Sequence, residues 1–499
     1  MGIVVRQSII SSIISYLGVT VGYLNLFYLY PKYLSPDQVG LFRTIQDAAI
    51  LFSPFAQIGL TQSIYRFYPH FAKDQTTSHT FMTMMIFFGL AGFGIFFIAF
   101  KIFEPSLLGY FHDHAQEIIN YSSLVIWLTL TLVILAAFET FSRSLLKTIV
   151  PNLIREVISR LLLSLLVAFY FIGWLSFDQF MIGSVAIYLI CLSILIIYLW
   201  SDGSFKINTN FKSLKTEKLP ELVRYSLLSF AGMAGMILIG KMDSLMVSSM
   251  IGLAANAVYT TAFYMATVIE IPKRALSQIA MPLISRAFEK QDLIDIQKIY
   301  HRTALNQLII GSLILIGLYA NIDSVFSLIP KREVYEAGKW VVIIVGIGKL
   351  ADMAFGPSSE IIVLSKHYQF NIVLIVLLAV SIIISNNLLI PVYGINGAAY
   401  GTALALIMFN AIKFIYLKWR LQMQPFGVDT LKVLSIALLT ITINHFIPHD
   451  DNVFLDILIR SVLITLIFSS LILWSNVSEE ATKIFHSALS IFKKQKNKL

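Results

Sequence analysis

Ionisable side chains set inside long apolar stretches are the residues with which this sequence could do chemistry. Arg43 and Asp47 stand four apart, on one helical face and within reach of each other across a turn. Glu139 and Arg143 repeat that spacing, and Lys349 precedes Asp352 by three residues. In "MILIGKMDSLMV" (236–247), Lys241 and Asp243 are two apart, about 200° around a helix, so they must look in different directions. An ionised group at a bilayer centre costs about 2.5–3.5 kcal/mol on insertion scales, which confines such groups to a partner or a wet cavity. Arg can grip an anionic group through two parallel N–H bonds, whereas Lys acts as a point charge. Arg43, Arg143, Lys147, Lys241 and Lys349 are thus the candidate anion contacts, and Asp47, Glu139, Asp243 and Glu360 the candidate proton carriers.

The elements that must hold these groups are membrane helices. Of 499 residues, 57% are hydrophobic and 13% charged, about half the charge of an ordinary soluble domain. Apolar runs long enough to cross a hydrocarbon core of about 30 Å recur along the chain. They lack the alternating ten-residue pattern of membrane barrels. Fourteen spans are expected, from 7–30 to 454–474, with 39–60 and 255–271 the weakest because Arg43, Asp47 and Glu270 interrupt them. One set of alternate connections holds 28 of the 37 Lys and Arg in 155 positions, and the other holds five in 71. The basic set marks the cytoplasmic side and puts both termini there. That distribution accounts for most of the net charge of +9, and no nucleic-acid partner is expected.

Cys191 is the only cysteine, so no intrachain disulfide can form. "FHDHAQE" (111–117) and "IPHDD" (447–451) read as wet interfacial loops rather than metal sites. A Gly-Lys-Ser/Thr phosphate loop is missing from the sequence, which disfavours ATP use. No cofactor and no metal are expected. The connections are too short for a separate catalytic domain, which weighs against an enzyme.

Offsets of 218 and 219 relate "LSPDQV" (34–39) to "LAANAV" (253–258), "LLKTIVPN" (145–152) to "LSKHYQFN" (364–371), and "RQS" (6–8) to "RYS" (224–226). The same offset sets Asn25 over Asp243. A duplicated six-helix lobe follows: 1–200, a linker at 201–224, a second lobe at 225–420, and two appended helices with a basic tail at 421–499. Six is even, so the copies are parallel, an architecture of secondary transporters.

The stretch "IPVYGINGAAYGTALA" (390–405) puts Pro391 and Gly394 at a turn and Gly397, Ala398 and Gly401 on a small-residue face. Together with "YLYPKYLSPDQVGLFR" (28–43), "GLTQSIYRFYP" (59–69) and "KMDSLMVSSMIGLAANAVYTTAF" (241–263), it resembles the polysaccharide and O-antigen flippases of the multidrug/oligosaccharidyl-lipid/polysaccharide exporter superfamily. That resemblance implies an all-α membrane fold of two six-helix lobes around a central cavity. It also implies translocation of an undecaprenyl-pyrophosphate-linked oligosaccharide across the inner membrane, by a monomer that a polysaccharide polymerase accompanies. Lipid II flippases, with the same fourteen spans, and cation-coupled multidrug exporters are the alternatives. On this reading Asn25, Arg43, Asp47, Glu139, Arg143, Lys147, Lys241, Asp243, Lys349 and Asp352 are the substrate-contacting candidates. Tyr23, Tyr259 and Tyr264 are candidates to stack on sugar rings, and Arg66, Arg155, Arg160 and Arg286 are inside-facing anchors.

Overall fold

Ser35 and Gln38 cap each other: the Gln38 amide N–H donates to Ser35 Oγ at 3.1 Å and the Ser35 N–H to Gln38 Oε1 at 2.9 Å. With Pro36 at the first helical position, where its missing N–H costs nothing, this box starts a helix at a defined residue. Ser176 and Gln179 repeat the device before a second long helix. The computed structural model describes residues 3–71, 74–111, 116–214, 218–366, 368–478 and 480. Among the described residues the chain is helical and without strands.

The helices that position the site are α1 (Ile3–Leu24), α2 (Pro36–Gln57), α3 (Leu60–Phe71), α4 (Gln75–Gly109), α5 (Ser122–Ser144), α6 (Ser159–Phe171) and α7 (Phe177–Ser201). They continue with α8 (Leu219–Met250), α9 (Leu253–Thr267), α10 (Ile271–Glu289), α11 (Leu293–Ala320), α12 (Lys339–Ala354) and α13 (Ser358–Leu364). Last come α14 (Tyr368–Tyr393), α15 (Ile395–Leu421), α16 (Val428–Asn444) and α17 (Val453–Trp474).

Each expected span contains helix, yet eight helices among the described residues are long and apolar enough to cross a membrane, or up to ten if two bent pairs each count as one. The shortfall from fourteen has physical causes. α2 carries Asp37, Arg43 and Asp47, while α6, α9 and α16 have only 13, 15 and 17 residues. One bend, of 47°, separates α12 from α13; there Gly356 adopts φ +58°, and a Cβ would sit 2.7 Å from Ala304 Cβ.

The chain forms two compact units, 1–260 and 261–499. In the first, polar pairs tie α8 and α9 to α2 and α3. Thr44 of α2 and Ser248 of α8 share a hydroxyl hydrogen bond of 2.6 Å, Asn256 of α9 donates to Thr44 at 2.9 Å, and Ser63 of α3 meets Ser226 of α8 at 2.5 Å. Gly40 lets α2 touch the Leu253 carbonyl, from which a Cβ would stand only 1.8 Å. In the second unit, Gly397 lets α15 lie against the end of α14, where a Cβ would meet Leu389 O at 2.1 Å. The appended helices α16 and α17 bury Val433, Ile464 and Phe468 against Leu308 and Ile316 of α11.

Candidate functional site

Buried ionisable residues cluster in both units. In the first, Lys241 on α8 donates to Asp47 on α2 at 2.5 Å, and Asp47 is only 4% exposed. The expected pairing of Asp47 with Arg43 is therefore replaced by a bond between helices. Arg43 instead lays its guanidinium over the rings of Tyr30, at 5.3 Å, and Phe42, at 5.8 Å. The Lys241 ammonium is thus held on a buried carboxylate. Asp243 looks the other way, as two positions on a helix require, and accepts from the Tyr259 hydroxyl at 2.7 Å. Tyr259 is fully buried, so it is a hydrogen-bond donor in the packing rather than a surface for sugar. Tyr23 stacks on Phe27 at 5.2 Å and Tyr264 lies edge-on to Phe263 at 6.4 Å.

Glu139 and Arg143 do pair within α5, at 3.6 Å. Arg155, expected as an anchor, also reaches buried Glu139, at 3.2 Å. Arg143 further donates to Asn152 Oδ1 at 3.4 Å. Two guanidiniums thus flank one carboxylate, an excess of one positive charge, and the Arg155 side chain is 59% exposed. Their positions follow from a π-helical turn, Ile154–Ile158, which brings Arg155 round to α5 and has a counterpart at Asn25–Leu29. Such turns often mark functional positions. Asn25, at the start of the second turn, ties it to α6, donating to Arg160 O at 2.9 Å and accepting from Ser164 at 2.6 Å. Arg160 pairs with Glu156 at 2.7 Å. Lys147 stands apart from this group, bound to Asp202 and, at 2.7 Å, to Ser204. Asp202 lies just past α7, and these contacts hold its carboxyl below the usual carboxylate value.

In the second unit Lys349 and Asp352 do not pair with each other, because the facing helix offers each a closer partner. Lys349 reaches Glu270 at 2.8 Å and stands 5.2 Å above the Phe263 ring. Asp352 binds Lys273 and accepts from Asn410 at 2.9 Å. Beside them Lys413 is 2% exposed, donating to Ser359 Oγ at 3.0 Å and lying 4.2 Å over the Phe409 ring. Sequence reasoning missed Lys273, Asn410 and Lys413 as site residues, having assigned the two lysines to cytoplasmic connections. The available signal was Asn410 and Lys413 three apart inside "LIMFNAIKFIYL" (406–417), one polar turn in an apolar helix. Among the described residues no three His, Cys, Asp or Glu stand where they could hold a metal ion. Residues 112–115 of the His-rich loop, 481–499 of the basic tail and 215–217 of the linker lie outside the described residues. Arg143 and Arg155 carry guanidinium N–H donors beyond those on Glu139, a geometry chemically suited to an anion.

A chain of long apolar helices with paired charges inside them is a multi-pass membrane protein. The family model described as polysaccharide biosynthesis protein matches residues 4–288, and the chain belongs to that family. The resembling stretches at 28–43, 59–69 and 241–263 fall within the match. Among solved structures the fold is similar to lipid II flippase MurJ in an inward closed conformation, with TM-score 0.76 at 16% identity, covering 94% of this chain and 100% of that one. It is also similar to an inward-facing multidrug resistance MATE family transporter of the MOP superfamily, with TM-score 0.65 at 13% identity over 83% and 98% of the two chains. The Vibrio cholerae MATE transporter VcmN in its bent form matches at TM-score 0.51 and 14% identity, covering 84% and 98%. Among curated protein sequences none matches this chain.

Proposed function

We propose that the chain is a flippase that carries an undecaprenyl-pyrophosphate-linked oligosaccharide, an O-antigen or other surface-polysaccharide unit, across the inner membrane by alternating access. The family match over 4–288 carries this reading, and the charge excess at Glu139, Arg143 and Arg155 supports it. A pyrophosphate is a bidentate anion suited to two guanidiniums, and Arg43 adds a cation in the same unit. The duplicated lobes 1–200 and 225–420, the linker at 201–224 and the two cytoplasmic termini belong to the proposal. So do a monomeric state, polymerase partners and a transport cycle without covalent chemistry on the substrate.

Purified protein in vesicles, supplied with a fluorescent undecaprenyl-pyrophosphate glycan on one leaflet, tests the reading. Wild type should equilibrate the probe between leaflets, and Arg143→Gln/Arg155→Gln should slow it about tenfold, since a charge-assisted hydrogen bond contributes about 1.5–3 kcal/mol. Equal rates with and without protein would refute the assignment. The MATE-like fold makes a drug exporter the second reading, and vesicles that accumulate a cationic dye while leaving the glycan in place would favour it.

A further inference from the structure

We infer that Lys413 is a proton-binding site, and that its loading and unloading couple the second unit to a proton gradient. The inference rests on the transporter reading above for its purpose, but not for its chemistry. Its ground is the unequal treatment of charges in one cluster. Asp352 is closed by Lys273 and Asn410, and Lys349 by Glu270. Lys413, as deeply buried as any of them, has the Ser359 hydroxyl and the Phe409 ring, and no ion pair among the described residues. Glu360, half-buried one residue beyond Ser359, likewise makes no side-chain hydrogen bond or ion pair among the described residues.

An ammonium buried among apolar side chains with a neutral hydroxyl as its acceptor is held at a desolvation cost that its amine form escapes. The amine still bonds well, accepting from the same Ser359 hydroxyl through its lone pair. The geometry therefore serves both protonation states with little rearrangement. The carboxylates in closed pairs cannot do this, because a proton on Asp47 or Asp352 would leave Lys241 or Lys273 buried without its counter-charge. The groups facing Lys413 are Lys273 from α10, Asp352 from α12 and Glu360 from α13; α14 contributes no charged side chain. Loading Lys413 sets a second ammonium, after Lys273, beside the carboxylates of Asp352 and Glu360, and unloading it removes one positive charge from the place where α13 meets α15. The proton passes to or from water, with Glu360, which has no closed pair among the described residues, the carboxylate free to relay it. Nothing else is transferred.

The test needs no substrate. Tryptophan fluorescence of detergent-purified protein is followed as pH is raised, for wild type, Lys413→Met, Lys413→Arg and Glu360→Gln. Wild type should show one transition. Lys413→Arg, charged at every accessible pH, should stay at the acid plateau, and Lys413→Met, never charged, at the alkaline one. A transition in Lys413→Met like that of wild type overturns the proposal. One that survives Lys413→Met and vanishes in Glu360→Gln overturns it too, by giving the proton to the carboxylate. Proper insertion of both Lys413 variants is checked by their elution and melting, and Ser359→Ala supplies a milder variant in which the transition should move rather than disappear. In vesicles a pH gradient should alter the glycan translocation rate several-fold in wild type and leave Lys413→Met unaffected. Failure of wild type to move the glycan at all refutes the flippase reading while the fluorescence result stands.

Discussion

Lys241 and Asp47 show how a buried charge is tolerated. Each would be costly alone, and together they form one short bond with side-chain exposures of 17% and 5%. Removing one partner of such a pair costs about 3–5 kcal/mol, whereas replacing both by apolar groups of similar volume is often neutral. Lys241→Met should accordingly lower the melting temperature of the purified protein sharply, and Lys241→Met/Asp47→Leu should recover most of the loss. A double variant as unstable as the single one would mean that other contacts, and not the stranded carboxylate, set the cost. The same logic separates Glu139, shared by two arginines, from Lys413, whose close partners among the described residues are a hydroxyl and a ring. Charges of similar burial have different chemical freedom.

At the scale of helices, close approach depends on what a missing side chain would have met. At Gly40 it is the Leu253 carbonyl at 1.8 Å, part of the backbone; at Gly401 it is the Asn386 side-chain amide at 2.4 Å; at Gly94 nothing lies within 4 Å. Ala at Gly40 should therefore destabilise by at least about 1–3 kcal/mol, the usual range for forced overpacking. Ala at Gly401 should cost less, and Ala at Gly94 should be neutral or better, because Ala outranks Gly as a helix former by about 1 kcal/mol. Melting curves of the three variants would check the order. The appended helices are held by a different device. Arg460 donates to Asp456 at 2.9 Å, to Asn444 at 3.2 Å and to Ile447 O at 2.8 Å, while Ser324 donates to Asp456 at 2.5 Å. Asp456→Ala strands a guanidinium that is 2% exposed. It should cost about 3–5 kcal/mol and speed proteolysis within 445–452; unchanged cleavage there would count against the latch.

For the whole molecule, the proposed function predicts a dependence on substrate charge. If the Glu139 group contacts the pyrophosphate, a glycan on an undecaprenyl monophosphate should cross more slowly than the diphosphate in wild type, and Arg143→Gln/Arg155→Gln should narrow that difference to about twofold. Vesicle assays with the two probes would measure it, and an equal preference in both proteins would remove this group from the substrate path. The packing units, 1–260 and 261–499, and the proposed repeat divide the chain differently, since α8, expected to open the second lobe, packs inside the first unit through its polar contacts with α2.

Membrane class, helical fold and family were legible from the sequence, because apolar run length and the punctuation by Pro and Gly are local properties that each segment states for itself. The turn at Gly394 and the intrahelical pair of Glu139 with Arg143 were legible for the same reason. Which charges meet across helices was not. Arg43 and Asp47, or Lys349 and Asp352, satisfy a same-helix spacing that an isolated helix would use, yet the facing helices bring Lys241, Glu270 and Lys273 nearer. Partner choice among buried ions depends on the register of one helix against another and on two π-turns that rotate it. Tertiary packing alone decided those, and with them that Lys413 meets the Ser359 hydroxyl and the Phe409 ring.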